Sequence, residues 1–346
     1  MESVLGALPA VAGDGPAAVA RHAPVLTFDI GGTKIAAGVV DDEGHAHSFL
    51  VAPTDPHGDA QRSLERLWDL GRRAVTSSDV SWSDIGAIGI ACGGPLDVER
   101  GVLLRPPYLP GWHDVPIAAL AEEALGRPAA LENDAAAAAA GEHRYGAGAG
   151  TRHMIYFTVS TGVGGGVIVD GRLYRGAMGN GGELGHVTVD WNGRPCRGCG
   201  RLGCLEAYAS GTAIAERAQE ALAVSDGSSS LASAPAPTAG DVAAAAREGD
   251  PLATAIWDET VAALSCGVTS IVNVFEPELV VIGGGVSRAG EQLIAPVREW
   301  VHAHAMTPGG ENVPVVRASL GDQVGVVGAA AVAYERIESG VLQAHG

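Results

Sequence analysis

Four potential metal ligands crowd one short stretch of this chain: His186, Cys196, Cys199 and Cys204 fall within nineteen residues and include three of only five cysteines. The spacing His-x9-Cys-x2-Cys-x4-Cys offers one imidazole and three thiolates, the set that closes a tetrahedral structural zinc site with no position left for water. Arg194, Arg197, Gly198, Gly200 and Arg201 make the segment too polar for a buried apolar cluster. A disulfide reading is weaker, because three clustered cysteines leave one unpaired and no secretory signal precedes them. Such a metal stiffens a loop, and the chemistry falls to the groups around it. Glu183 precedes His186 and Glu206 follows Cys204. Carboxylates beside a stiffened loop can each accept two hydrogen bonds from vicinal hydroxyls of a sugar. With one ring nitrogen of His186 on a metal, the other N–H has a fixed direction and can donate to the same ligand.

A second set lies upstream. Leu131-Glu132-Asn133-Asp134 leads into an alanine run at 135 to 140, which puts Asn133 and Asp134 at the start of a helix. Both types are favoured helix caps. The same helix N-terminus keeps Asp134 ionised and able to take a proton from an alcohol, while Asn133 can bond a neighbouring hydroxyl.

These groups need elements to hold them, and three segments share one design, an apolar β-type run ending at a glycine-rich turn. They are VLTFDI-GGTK at 25 to 34, MIYFTVS-TGVGGG at 154 to 166 and LVVI-GGGVS at 279 to 287. In the first two a second apolar run comes next, so the turn joins two strands, where a Rossmann site would have a helix. The recurrence about 130 residues apart predicts two similar halves facing each other across a cleft. Side-chain-free turns let backbone N–H groups converge on phosphate. Gly31, Gly32 and Thr33 with Lys34 form one such cradle, and Thr161, Gly162, Gly164 and Gly165 a second; Gly283, Gly284 and Gly285 form a third turn. Asp29 ends the first strand, where a carboxylate can hold Mg2+ through water or simply shape the turn.

At 346 residues, 47% hydrophobic and 18% charged, the chain is expected to form two domains with substantial cores. A net charge of −18, from 40 acidic against 22 basic residues, argues against nucleic acid or an anionic membrane surface as partner. No apolar run is expected to be long enough to span a bilayer, and cytoplasmic residence is the expectation. Residues before 24 read as a loose Ala/Gly/Pro tail, and VSDGSSSLASAPAPTAG at 224 to 240 as a flexible surface insertion.

With these residues in place, the chain resembles the ROK family of bacterial sugar kinases, within the actin/hexokinase/Hsp70 superfamily, from about Val25 to the C-terminus. Eight pieces stand in family order: DIGGTK at 29, GGPLD at 93, LPGW at 109, LENDA at 131, TGVGGG at 161, GELGH at 182, CGRLGCLEAYASG at 199 and PELVVIGGGV at 277. The resemblance implies an α/β, two-lobed, duplicated RNase-H-like fold with a zinc-stabilised loop at 186–204. It implies an N-terminal lobe at 25–141 joined by a C-terminal helix at 325–346, and a second lobe at 142–324. ATP and Mg2+ would lie between the lobes, with Asp29, Gly31, Gly32, Thr33, Lys34, Thr161, Gly162, Gly164 and Gly283 to Gly285 on the nucleotide. Asp134 would be the base, Gly94, Asn133, Glu183, His186 and Glu206 would hold the sugar together with it, and His186, Cys196, Cys199 and Cys204 would bind structural Zn2+. The implied reaction is phosphorylation of a hexose hydroxyl, glucose at its 6-hydroxyl by default, by a homodimer or homotetramer. N-acetylmannosamine, an amino sugar or a cyclitol are the alternative acceptors, and a sugar sensor without catalysis is the non-enzymatic one. The family's repressors carry a DNA-binding segment, for which the 28 residues before Asp29 are expected to leave no room. Three positions depart from the family pattern: the x2 spacing between Cys196 and Cys199, Tyr108 where many members have Asn, and Ala136 where an Asn is common.

Overall fold

The structure, a computed structural model, describes residues 22–54, 60–225, 227–306 and 308–343. Most of the expected N-terminal tail, residues 1–21, lies outside the described residues.

The first lobe starts with β1 (Val25–Ile30), β2 (Lys34–Val40) and β3 (Ala46–Pro53), then α1 (Ala60–Thr76) and β4 (Ala87–Cys92). A small hairpin, β5 (Leu96–Asp97) with β6 (Val102–Leu103), precedes α2 (Ile117–Leu125), β7 (Ala129–Asn133) and α3 (Asp134–Tyr145). The second lobe repeats the plan with β8 (Met154–Val159), β9 (Val163–Val169) and β10 (Arg172–Leu173). It then inserts α4 (Glu206–Ala209), α5 (Gly211–Val224), α6 (Ala239–Arg247) and α7 (Pro251–Phe275) before β11 (Leu279–Gly283), α8 (Glu291–His304), β12 (Val315–Arg317) and α9 (Val324–Glu338).

The two sheets have the orders β3-β2-β1-β4-β7 and β10-β9-β8-β11-β12. In each, the first three strands are an antiparallel meander and the last two run parallel to its first strand. Two sheets of one order and one polarity are the duplication that the glycine turns signalled. Central strands such as β1 and β4 are buried almost throughout because both faces are covered, whereas the edge strand β3 mixes buried and exposed positions. Each lobe has its own principal core, around Phe28, Ile88 and Leu131 in the first and around Phe157, Leu264 and Val280 in the second.

The helices cross between lobes. α3 leaves the first sheet yet packs on β8 and β9 of the second, while α9 leaves the second and packs on β1, β2 and β4 of the first. The alanine run explains how: Ala135 to Ala140 are all buried, and with side chains this small α3 can lie against α9 and a sheet at once. At the crossing the two backbones nearly touch, since a Cβ on Gly328 would stand 2.3 Å from the Ala137 carbonyl oxygen.

Two expectations need correction. α7 has 25 residues and is long and apolar enough by composition to cross a membrane, contrary to the expected absence of such a run; its apolar window is 61% buried, as in a core helix. Residues 227–240 of the expected flexible insertion at 224–240 are tied in more firmly than their Ser/Ala/Pro composition predicts. Ser229 and Ser230 donate their hydroxyls to Asp250, the N-cap of α7, and Leu231 is 3% exposed.

Replacing Gly328 by Ala is expected to force α3 and α9 apart and lower stability by about 1–3 kcal/mol, the usual cost of overpacking. Denaturant unfolding checks this; an unchanged midpoint would show that the crossing has slack.

Candidate functional site

Strands β1, β4 and β7 are parallel and in register, with Asp29 beside Ala91 and Ala91 beside Glu132. The segments leaving their C-terminal ends therefore gather at one carboxyl edge, where open α/β sheets bind ligands. Asn133 caps α3, its side chain accepting from the Ala135 and Ala136 N–H groups at 3.0 and 3.1 Å. Asp134 is the first helical residue, and its Oδ1 accepts from the Ala135 N–H at 2.8 Å. The residue is open to solvent, yet its carboxyl has protein atoms close around it. Burial pushes its carboxyl above the usual range, against the pull of the helix N–H groups. Gly93 and Gly94 lie beside Asp134 and Asn133: a Cβ at Gly93 would lie 3.8 Å from Asp134 Oδ2, and one at Gly94 3.6 Å from Asn133 Nδ2.

Asp29 lies in the same region. Burial first, and the charge of Asp134 second, push its carboxyl up to about 6, although Lys34 opposes them. Two carboxylates that repel each other can hold a divalent cation. The Gly31 to Lys34 turn beyond is closed by Gly31 N–H on the Lys34 carbonyl at 3.0 Å, and Thr33 and Lys34 are exposed. Tyr108, 55% exposed, packs its Cβ where a Gly32 side chain would stand.

The metal-ligand residues come together. One ligand atom from each of His186, Cys196, Cys199 and Cys204 lies within 4.8 Å of all the others. Cys199 and Cys204 sulfurs are 3.4 Å apart, and Cys196 Sγ is 3.7 Å from His186 Nδ1. Tetrahedral Zn–S bonds of about 2.3 Å give edges of about 3.8 Å, so the donor set fits. With Nδ1 toward the cysteines, Nε2 of His186 faces Glu183 at 4.0 Å.

Glu206 opens α4 and accepts from the Val163 N–H at 3.0 Å, with Cys196 Sγ 3.4 Å from its other oxygen. Burial raises the Glu183 carboxyl above its usual range, and the charges of Asp134 and Glu206 raise it further against His186. His186, Asp134 and Glu206 thus all lie within electrostatic reach of Glu183.

The expected nucleotide glycines divide. Thr161 and Gly285 line a cavity of about 800 Å³ in the second lobe. Gly162 instead clears space for Glu206, with a Cβ position 2.7 Å from its Oε2. Gly164 lies inside β9 against Ala135, and Gly283 ends β11 against the Tyr156 hydroxyl, so both serve close packing. Gly284 has φ +84°, and a Cβ there would strike the Val159 carbonyl.

Sequence reasoning missed most of the cavity wall. Gly211 and Thr212, at the N-terminus of α5, Arg247, Arg288 and the stretch Ala236 to Gly240 all line it. Ser210 caps α5 through the Ala213 N–H at 3.1 Å, so the helix presents its N–H groups there, a ready anion site. The Ser-Gly-Thr run in the sequence was the available signal.

Two lobes of one topology, acidic groups gathered at the carboxyl edge of the first sheet and a cavity of about 800 Å³ in the second lobe accompany the actin-like sugar-kinase architecture. The model of the ROK family matches residues 25–336, and the chain belongs to that family. A glucokinase of Thermotoga maritima is 38% identical over 317 residues, 90% of this chain and 98% of the relative. The crystal structure of a ROK hexokinase from Thermus thermophilus is 38% identical with a TM-score of 0.76, covering 91% of this chain and 99% of that one. A ROK glucokinase from Streptomyces griseus, solved with glucose and AMPPNP, is 34% identical with a TM-score of 0.78, over 90% and 99%.

A carboxyl with a raised pKa binds its proton more tightly when folded, so ionising Asp29 removes stability as pH rises from 3.8 to about 6. Asp29→Asn is therefore expected to stabilise the ligand-free protein at pH 7.5 by up to roughly 3 kcal/mol, seen as a higher melting temperature, and by less at pH 5. Thermal melts at the two pH values check the sign.

Proposed function

We propose that this ATP-dependent sugar kinase phosphorylates the 6-hydroxyl of glucose, with Asp134 as general base. The observation that carries the reading is the position of Asp134 just past the carboxyl end of β7, within electrostatic reach of both Asp29 and Glu183. The alcohol oxygen bonds to the γ-phosphorus as the bond to the β–γ bridging oxygen breaks, and the hydroxyl proton passes to the Asp134 carboxylate. A raised pKa makes that carboxylate a better acceptor at neutral pH. Gly94, Asn133, Glu183, His186 and Glu206 hold the sugar. The Gly31 to Lys34 turn, Thr161, Gly284 and Gly285 would face the phosphates, and Asp29 would hold Mg2+. When bound, Mg2+ neutralises phosphate charge, the main requirement of phosphoryl transfer. Zn2+ at His186, Cys196, Cys199 and Cys204 would be structural. The three relatives described above are named glucokinase or hexokinase, which supports glucose over N-acetylmannosamine.

A coupled ADP-release assay over glucose, mannose, both N-acetylhexosamines, amino-glucoses and valiolone-type cyclitols is expected to give glucose the highest kcat/KM. Asp134→Asn is expected to lower turnover at least about 10²- to 10⁴-fold while keeping metal content and glucose affinity. A preferred acceptor other than glucose overturns the substrate, and an active Asp134→Asn overturns the base. Cys199→Ser is expected to lose zinc, measured by metal analysis, and to weaken glucose binding about 10-fold or more through His186.

A further inference from the structure

The loop from β10 to Glu183 leaves the second sheet, crosses to the first lobe and returns. Arg175 donates from Nε to Glu132 Oε2 at 2.6 Å, and from Nη1 and Nη2 to the two carboxylate oxygens of Glu335 on α9 at 3.1 and 3.0 Å. Five residues on, Asn180 spends its amide on the backbone of Leu96, donating to the carbonyl at 3.2 Å and accepting from the N–H at 3.4 Å. Gly182 lies back against β9, where its Cβ would be 3.2 Å from the Gly165 carbonyl. Glu183 is the next residue.

The other end of this strap is the base. Glu132 is 1% exposed, and its second oxygen accepts from the Asn133 N–H at 3.0 Å. One unbroken chain of hydrogen bonds therefore runs from Arg175 through Glu132 to the turn that carries Asn133 and Asp134. Three acceptor oxygens in two directions suit a guanidinium fork; an ammonium cannot reproduce that geometry.

We propose that Arg175 is a positioning residue for phosphoryl transfer. It ties the strap that delivers Glu183 to the turn that presents Asp134, and so sets the separation between the sugar's glutamate and the base. That role rests on the parts proposed for Asp134 and Glu183, and goes beyond them in giving the registry between the lobes to a residue that touches neither sugar nor nucleotide.

Removing Arg175 alone would leave Glu132 buried and unpaired, a cost to folding that has nothing to do with positioning. The test is therefore the double variant Arg175→Gln with Glu132→Gln, which removes both charges and keeps an acceptor for the Asn133 N–H. Expected are wild-type metal content, a sugar KM and sugar Kd raised about 10-fold, kcat lowered about 10- to 100-fold and an ATP KM within about twofold. Arg175→Lys in the otherwise unchanged protein should recover only part of kcat. Arg152→Gln, which removes an exposed pair with Asp170, is the neutral control. A folded double variant with sugar KM and kcat within about twofold of wild type overturns the proposal, as does an equal rise in both substrates' KM. If the double variant fails to fold, Glu335→Gln opens the outer half of the fork. The same split, at smaller size, supports the proposal, and wild-type kinetics overturn it. The outcome is separable from that for the base, because Asp134→Asn loses turnover and keeps sugar affinity, whereas the strap variants lose sugar affinity.

Discussion

Four carboxylates, Asp29, Asp134, Glu183 and Glu206, are drawn into one region, and the fold around them is organised to keep them there. Like charges in partly dry surroundings repel and resist ionisation, as the raised carboxyls of Asp29, Asp134 and Glu183 show. Lys34 is the cation that opposes this repulsion at Asp29. A ligand relieves the repulsion: hydroxyl donors on one side, a divalent cation on the other. The region is thus electrostatically primed for hydrogen-bond donors and a divalent cation.

This constraint recasts the glycines. A Cβ on Gly325 would stand 2.1 Å from Asp29 Oδ2, and one on Gly198 2.5 Å from Glu206 Oε1. Gly162 clears Glu206 in the same way. Part of the glycine content that reads as phosphate cradles therefore makes room for acidic side chains, a role that no spacing in the chain reveals.

The features legible in the sequence were local. The strand-turn-strand units at 25–40 and 154–169 announced both sheets, because period and glycine position are properties of neighbouring residues. The cysteines and His186 announced their cluster for the same reason. The cavity wall was hidden, because it is assembled from residues 211–219, 236–247 and 285–289, which only the tertiary fold brings together. Its Ala236 to Gly240 portion sits in a stretch whose composition reads as solvent-exposed linker. The Arg175 fork was equally hidden, its partners lying 43 and 160 residues away. Gly164 and Gly283 looked like turn glycines because a strand packed tightly on a helix or a tyrosine also demands the smallest residue.

The near-contact of α3 and α9 has a mechanical consequence. Asp134 lies seven residues from Gly141, whose Cβ would stand 2.9 Å from the Gly328 Cα, which is about 10 Å along the helix axis. If the lobes rock about that point, a rotation of about 10° shifts the carboxylate by about 2 Å, while lips more than about twice as far out travel proportionally more. Asp134 then occupies the short arm of the lever. Wide opening for substrate entry and steady aim at the reacting hydroxyl are then compatible within one rigid helix.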